Sequence, residues 1–232
     1  MDVFKEELKK LQDDDNNLSI LLVGSAQTLD LMDRKDIDLF VITKSGKYQI
    51  REIKKISNIE FDINYFPLSI VDKLIDDKEQ FFIEAMSNST IIYDKQGFAF
   101  EYVNLCVKEY NKGPEKLSHD EILNIYFSLV DDIKRIKYRQ DIDKGEISYL
   151  YSVYLKRALD VYFRLNNKWI PKDKKMFKVL KKEDIYLYEM IKKLYKTYDC
   201  CILEDIIRYI FKGNLEKTYI KMIYKRGDDL NG

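Results

Sequence analysis

Histidine is all but missing from this chain: one residue, His119, in 232. A multi-histidine metal centre is thereby excluded, and a serine-histidine-aspartate triad would hang on a single side chain. Cysteine is nearly as scarce. Cys106, Cys200 and Cys201 are odd in number, two are adjacent, and none has the C-x-x-C spacing of a zinc or redox site. That usage fits reduced thiols in a cytoplasmic protein. No stretch approaches the ~20 apolar residues that a membrane-spanning helix needs, and the charged opening MDVFKEELKKLQDDDNN is expected to hold no export signal. Charge of one sign is not in excess either: 40 Lys+Arg balance 40 Asp+Glu. No overall field therefore recruits nucleic acid or an anionic membrane, although a local patch would still be able to.

What is present is a core. Hydrophobic residues make up 46% of the chain, enough for one large folded domain or two small ones. Residues 3 to 12 carry Val3, Phe4, Leu8 and Leu11 at helical spacing, and Asp13 to Asn17 end that pattern. Strands are expected over 19–23, 36–43, 48–53 and 59–66, a helix from Pro67 to about Met86, and a short strand at 90–93. From Phe98 the period changes, and helices are expected over 98–111, 118–142, 146–166, 172–181, 184–198 and 202–226. Ser118 and Glu121 form a capping box at one start, and Pro114 and Pro171 fall in connections. The expected fold is α+β: a mixed sheet with flanking helices over 1–97, then a helical bundle over 98–232.

The segment LLVGSAQTLDLMDRKDIDLFVI, residues 21 to 42, raises a chemical question. Asp36 and Asp38 lie inside an apolar run, alternate with Ile37, Leu39 and Val41, and so share one face of a strand. Carboxylates this close repel unless a cation meets them, and Mg²⁺ accepts oxygen ligands of this kind. IEFDINYF, residues 59 to 66, alternates likewise, with Glu60, Asp62 and Asn64 on one face. Asp62 would complete a three-acid cluster if its strand pairs beside that of Asp36. Gly24-Ser25, at the end of the first strand, supplies small residues whose backbone amides suit a phosphate.

These parts in this order resemble the signature of the DNA polymerase β-like nucleotidyltransferase superfamily. They are an apolar strand, Gly24-Ser25, ten intervening residues, Asp36-Ile37-Asp38 between apolar residues, and an apolar-Asp62-apolar strand. The size and the helical second half are similar to the nucleotidyltransferases that modify aminoglycoside and lincosamide antibiotics. The motif resemblance covers residues 19 to 66.

The resemblance implies an N-terminal nucleotidyltransferase domain and a C-terminal helical domain. It implies transfer of a nucleoside monophosphate, AMP being the first expectation, from a triphosphate such as ATP to a hydroxyl of a small molecule such as an antibiotic. Gly24 and Ser25 would hold the triphosphate, Asp36 and Asp38 two Mg²⁺ ions, and Asp62 one of these. Asp62 is also the default general base, with Glu60, Glu146 and Asp160 as alternatives. Lys156 and Arg157, within YSVYLKRALDVYFRLNNKWIPKDKK, would contact phosphates, as would Lys174 or Lys175; taken alone, they read as an ordinary charged helix surface. Many antibiotic-modifying relatives carry an arginine soon after Gly-Ser, where this chain has Ala26-Gln27-Thr28. Lys44, Lys54 or a lysine of the helical half would then supply that charge. A protein or tRNA acceptor, as in toxin-antitoxin transferases, and a catalytically silent nucleotide-binding module are the alternatives. In relatives the site is sometimes shared within a homodimer.

Overall fold

A computed structural model describes residues 2–24, 35–139 and 141–213. The chain is α+β and divides into two compact units, the first ending at Pro114. The first unit opens with α1 (Asp2–Asp13), β1 (Asn17–Val23), β2 (Asp36–Thr43), β3 (Ile50–Ile56) and β4 (Ile59–Pro67). It continues with α2 (Leu68–Asp76), α3 (Gln80–Ser87), β5 (Thr90–Asp94) and α4 (Phe98–Lys112). The five strands form one mixed sheet in the order β3-β4-β2-β1-β5, in which β2 and β4 run parallel and the other neighbours antiparallel.

Strand alternation sorts the residues onto two faces. On one, the amphipathic α1 lays Phe4 and Leu11 over Ile20, Leu22, Ile37, Leu39, Val41, Phe61 and Ile63. Glu7 of α1 is nearly fully buried there and forms an ion pair with Lys54 of β3, so the charge is met and α1 is tied to the sheet edge. On the other face, Phe40 and Phe66 stack with Phe82 of α3, with ring centroids 4.7 Å apart for Phe40–Phe66 and 5.0 Å for Phe66–Phe82. Asp36 and Asp38 precede Phe40 on this second face, as Glu60, Asp62 and Asn64 precede Phe66. The apolar end of the face is buried and the acidic end is half-buried or exposed.

One difference from the sequence reading stands out in this unit. The helix expected from Pro67 to Met86 is two helices, because Lys78 takes a left-handed conformation (φ 52°). The amides of Lys78 and Glu79 close the end of α2 on the carbonyls of Ile75 and Leu74. α4 packs against α3, β1 and β5, and the first compact unit runs on through it to Pro114.

The second unit holds α5 (His119–Lys137), α6 (Lys144–Leu165), α7 (Asp173–Glu183), α8 (Ile185–Thr197) and α9 (Cys200–Phe211). Their apolar stripes, among them Leu129, Ile133, Leu155, Leu159, Leu180, Ile191, Leu194, Leu203 and Ile206, make one buried cluster. The capping box forms as expected: Ser118 Oγ accepts from the Glu121 amide at 3.2 Å, and the Ser118 amide donates to Glu121 Oε2 at 2.7 Å. The helix expected over 118–142 stops at Lys137, and the part of the last helix expected after 213 lies outside the described residues. No helix among the described residues is long and apolar enough to cross a membrane.

Candidate active site

The acidic end of the sheet is built by register. Parallel pairing of β2 with β4 sets Asp36 opposite Glu60 and Asp38 opposite Asp62. Neighbouring strands lie about 4.8 Å apart, and residues directly across from one another share a face. Four carboxylates from two adjacent strands are thus gathered on one patch, with Asp36 and Glu60 exposed and Asp38 and Asp62 half-buried. Their strands are fixed from behind by Ile37, Leu39, Phe61 and Ile63, all nearly inaccessible to solvent.

β1 approaches from the other side, pairing Val23 with Asp38. The next residue, Gly24, takes φ +74°, and a Cβ there would collide with Asp38 Oδ2. Glycine is favoured twice over: the left-handed backbone disfavours an L side chain, and a Cβ would displace the Asp38 carboxylate. The main chain at Gly24 therefore lies directly against Asp38. Ser25, the other expected phosphate contact, lies outside the described residues, as do Gln27, Thr28 and Arg34.

The cation at this patch is one that sequence reasoning missed. Arg51 of β3 grips Asp62 with a two-pronged fork, Nε to Oδ1 at 2.8 Å and Nη2 to Oδ2 at 2.6 Å. Asn64 Nδ2 donates to the same Oδ1 at 3.2 Å, and Asn64 Oδ1 in turn accepts from Gln49 Nε2 at 3.1 Å. The guanidinium is held above its ordinary value first by the hydrogen bond to Asp62 and then by that acid's charge, with smaller contributions from Asp38 and Glu60. Lys54, one of the lysines expected to supply positive charge here, instead reaches Glu7 and Glu52 on the opposite face. Burial pulls the Lys54 ammonium down, and those two acids outweigh it, so it stays charged.

The donor chemistry suits a hard divalent cation. Mg²⁺ is commonly held by one or two carboxylates together with phosphate oxygens and water, and Asp36 and Asp38 are of that type. Among the described residues no three His, Cys, Asp or Glu side chains are grouped so as to hold a metal by themselves. Asp62 is turned to the guanidinium. Asp36 and Asp38 thus offer two oxygen donors, which a divalent cation would need other ligands to supplement.

Of the expected residues in the second unit, Lys156, Arg157 and Glu146 are engaged there. Lys156 Nζ donates to Asp173 Oδ1 at 2.7 Å, and Arg157 bridges Asp132 and Ser128 of α5 at 3.0 Å each. Glu146 is paired with Arg139. Asp160 is half-buried, with one carboxylate oxygen buried and unbonded. Burial raises its pKa, and Lys156 opposes the shift.

No protein-family model matches the chain, and no curated protein sequence does. Among solved structures, a nucleotidyltransferase-like protein from Exiguobacterium sibiricum 255-15 is similar, with 13% identity, 89% of this chain and 73% of that chain covered, and a TM-score of 0.49. A likeness of that order assigns neither a residue nor an activity to this chain.

Proposed function

We propose that the chain is a nucleotidyltransferase, moving a nucleoside monophosphate, AMP in the first instance, from a triphosphate to a hydroxyl with pyrophosphate as leaving group. One observation carries the reading: Asp38 and Asp62 are in register on parallel strands, with Asp36 on the same face and the Gly24 main chain against Asp38. In-line attack on a phosphoryl centre needs positioning and charge neutralisation more than covalent chemistry, and a divalent cation held by such carboxylates would supply the neutralising charge. Asp36 and Asp38 would hold Mg²⁺, which when bound supplies neutralising charge at the phosphoryl oxygens. The Gly24 main chain orients the triphosphate beside them. Asp62 would take the proton from the attacking hydroxyl on an Oδ.

The proposed acceptor is a small hydroxylated molecule, and a cationic one such as an aminoglycoside suits four carboxylates on one patch. The test is pyrophosphate release from each of the four ribonucleoside triphosphates with Mg²⁺ against a panel of aminoglycosides and lincosamides. Release that needs both a drug and the two acids is the expected result; drug-independent hydrolysis, or none at all, would contradict it.

A second reading is favoured by one specific feature. The Arg51 fork on Asp62 places a guanidinium where a transferase needs a free base, as a nucleotide-binding module without catalysis would have it. Triphosphate binding that depends on Asp36 and Asp38, with no release under any acceptor, would support that alternative.

A further inference from the structure

The pairing of Arg51 with Asp62 differs from an ordinary surface ion pair in how completely it occupies the acid. An ionised carboxylate offers about four lone-pair positions. On Asp62, Oδ1 takes both Arg51 Nε and Asn64 Nδ2, and Oδ2 takes Arg51 Nη2, so three are filled. Asn64 is itself held by Gln49, so the arrangement is braced from the side. A divalent cation on the neighbouring acids would face this guanidinium across the patch, and two positive centres so placed repel. Arg51 nevertheless stands on the edge strand with 59% of its side chain exposed, so among the described residues none is packed over it to prevent its leaving.

We propose that Arg51 is a built-in competitor for the divalent cation: its guanidinium holds Asp62 in the nucleotide-free protein and must release it before Asp62 joins Asp36 and Asp38 around a metal. Arg51 is then a positioning residue, acting through Asp62. This rests on the reading of the acidic patch as a metal-binding transferase site. The consequence is weak metal binding to the protein alone, with Asp62 recruited only once something draws the guanidinium away. An anionic triphosphate is the ligand of the proposed reaction with that chemistry.

The test is Mn²⁺ titration of the full chain without nucleotide, with free Mn²⁺ read by electron paramagnetic resonance. The proteins compared are the wild type, Arg51→Gln, Arg51→Lys and Asp36→Asn/Asp38→Asn, the last substitutions also combined with Arg51→Gln. The expected result is Mn²⁺ affinity about fivefold higher in Arg51→Gln than in wild type, on the scale of an exposed charge pair. A smaller gain is expected in Arg51→Lys, which keeps the charge but loses the fork, and loss of the site wherever both aspartates are replaced. A gain in affinity is not what a misfolded strand gives, so folding defects do not imitate this outcome. Equal or lower affinity in Arg51→Gln, with binding still dependent on Asp36 and Asp38, overturns the competitor and leaves the site reading standing. Mn²⁺ binding indifferent to the two aspartates, or absent throughout, overturns both.

Discussion

Replacing Gly24 by alanine separates the site's geometry from the stability of its fold. The residue sits at φ +74°, where an L side chain costs about 1–2 kcal/mol of backbone energy. For a chain of this length that corresponds to a fall of roughly 2–8 °C in the unfolding midpoint. The added methyl group has a second effect: it occupies the space of Asp38 Oδ2, so the carboxylate must move. A misplacement of about 1 Å at a reacting centre is worth on the order of a hundredfold in rate, and that is the loss of nucleotide transfer expected for Gly24→Ala. The fold itself provides the control. Gly97, the N-cap of α4, takes φ +83° with nothing within 4 Å of where a Cβ would stand. Gly97→Ala carries the same backbone cost without the collision, so it should lose comparable stability and keep full transfer. The assay pairs thermal unfolding with pyrophosphate release for the two variants. Wild-type transfer by Gly24→Ala, or equal loss of transfer by both, would refute the argument that this glycine serves Asp38.

Three further expectations concern the scaffold. Ser118→Ala removes the side-chain half of the α5 capping box, leaving the residue-118 amide on Glu121, and should cost about 1 kcal/mol at neutral pH, measured by denaturant unfolding. The hydroxyl and amide of Ser118 hold Glu121 below its ordinary value of 4.5, so the contribution that depends on this charge is present above that value. It fades as pH falls through the lowered folded value, and the difference between Ser118→Ala and wild type should shrink in acid. Glu7→Ala leaves Lys54 without its buried partner and should destabilise the first unit by about 2 kcal/mol; a change within experimental error would show that α1 is held by its apolar face alone. Phe66→Ala empties the centre of the Phe40–Phe82 stack and should cost about 4 kcal/mol by chemical denaturation, the cavity under the acidic patch being the cause.

The alternation in DIDLFVIT and IEFDINYF was enough to place Asp36 with Asp38, and Asp62 with Glu60 and Asn64, because the two-residue period is a local property of extended chain. Which strand lies beside which is not local. The parallel pairing that sets Asp38 opposite Asp62 joins segments separated by β3, and no residue pattern states it. Arg51 escaped notice although a signal existed. A two-residue turn, Ser57-Asn58, joins β3 to β4 and pairs Ile56 with Ile59. Counting outward from that turn sets Arg51 opposite Asn64, diagonal to Asp62 and on its face. Lys54, one of the lysines expected to supply the charge, falls on the other face by the same count. The break between α2 and α3 was hidden because Asp76-Asp77-Lys78-Glu79 reads as solvent-facing helix, and only the left-handed backbone at Lys78 ends it. The affiliation of α4 was hidden for another reason: its helical period reports that it is a helix, not which unit its apolar side covers.

The most direct test of the central claim is transfer of an α-³²P-labelled ribonucleoside monophosphate to an acceptor with Mg²⁺, comparing the wild type with Asp36→Asn, Asp38→Asn and Asp62→Asn made singly. The patch as described predicts labelled acceptor from the wild type and loss of label, by at least a hundredfold, in each of the three variants. Undiminished labelling by any of them would contradict the account.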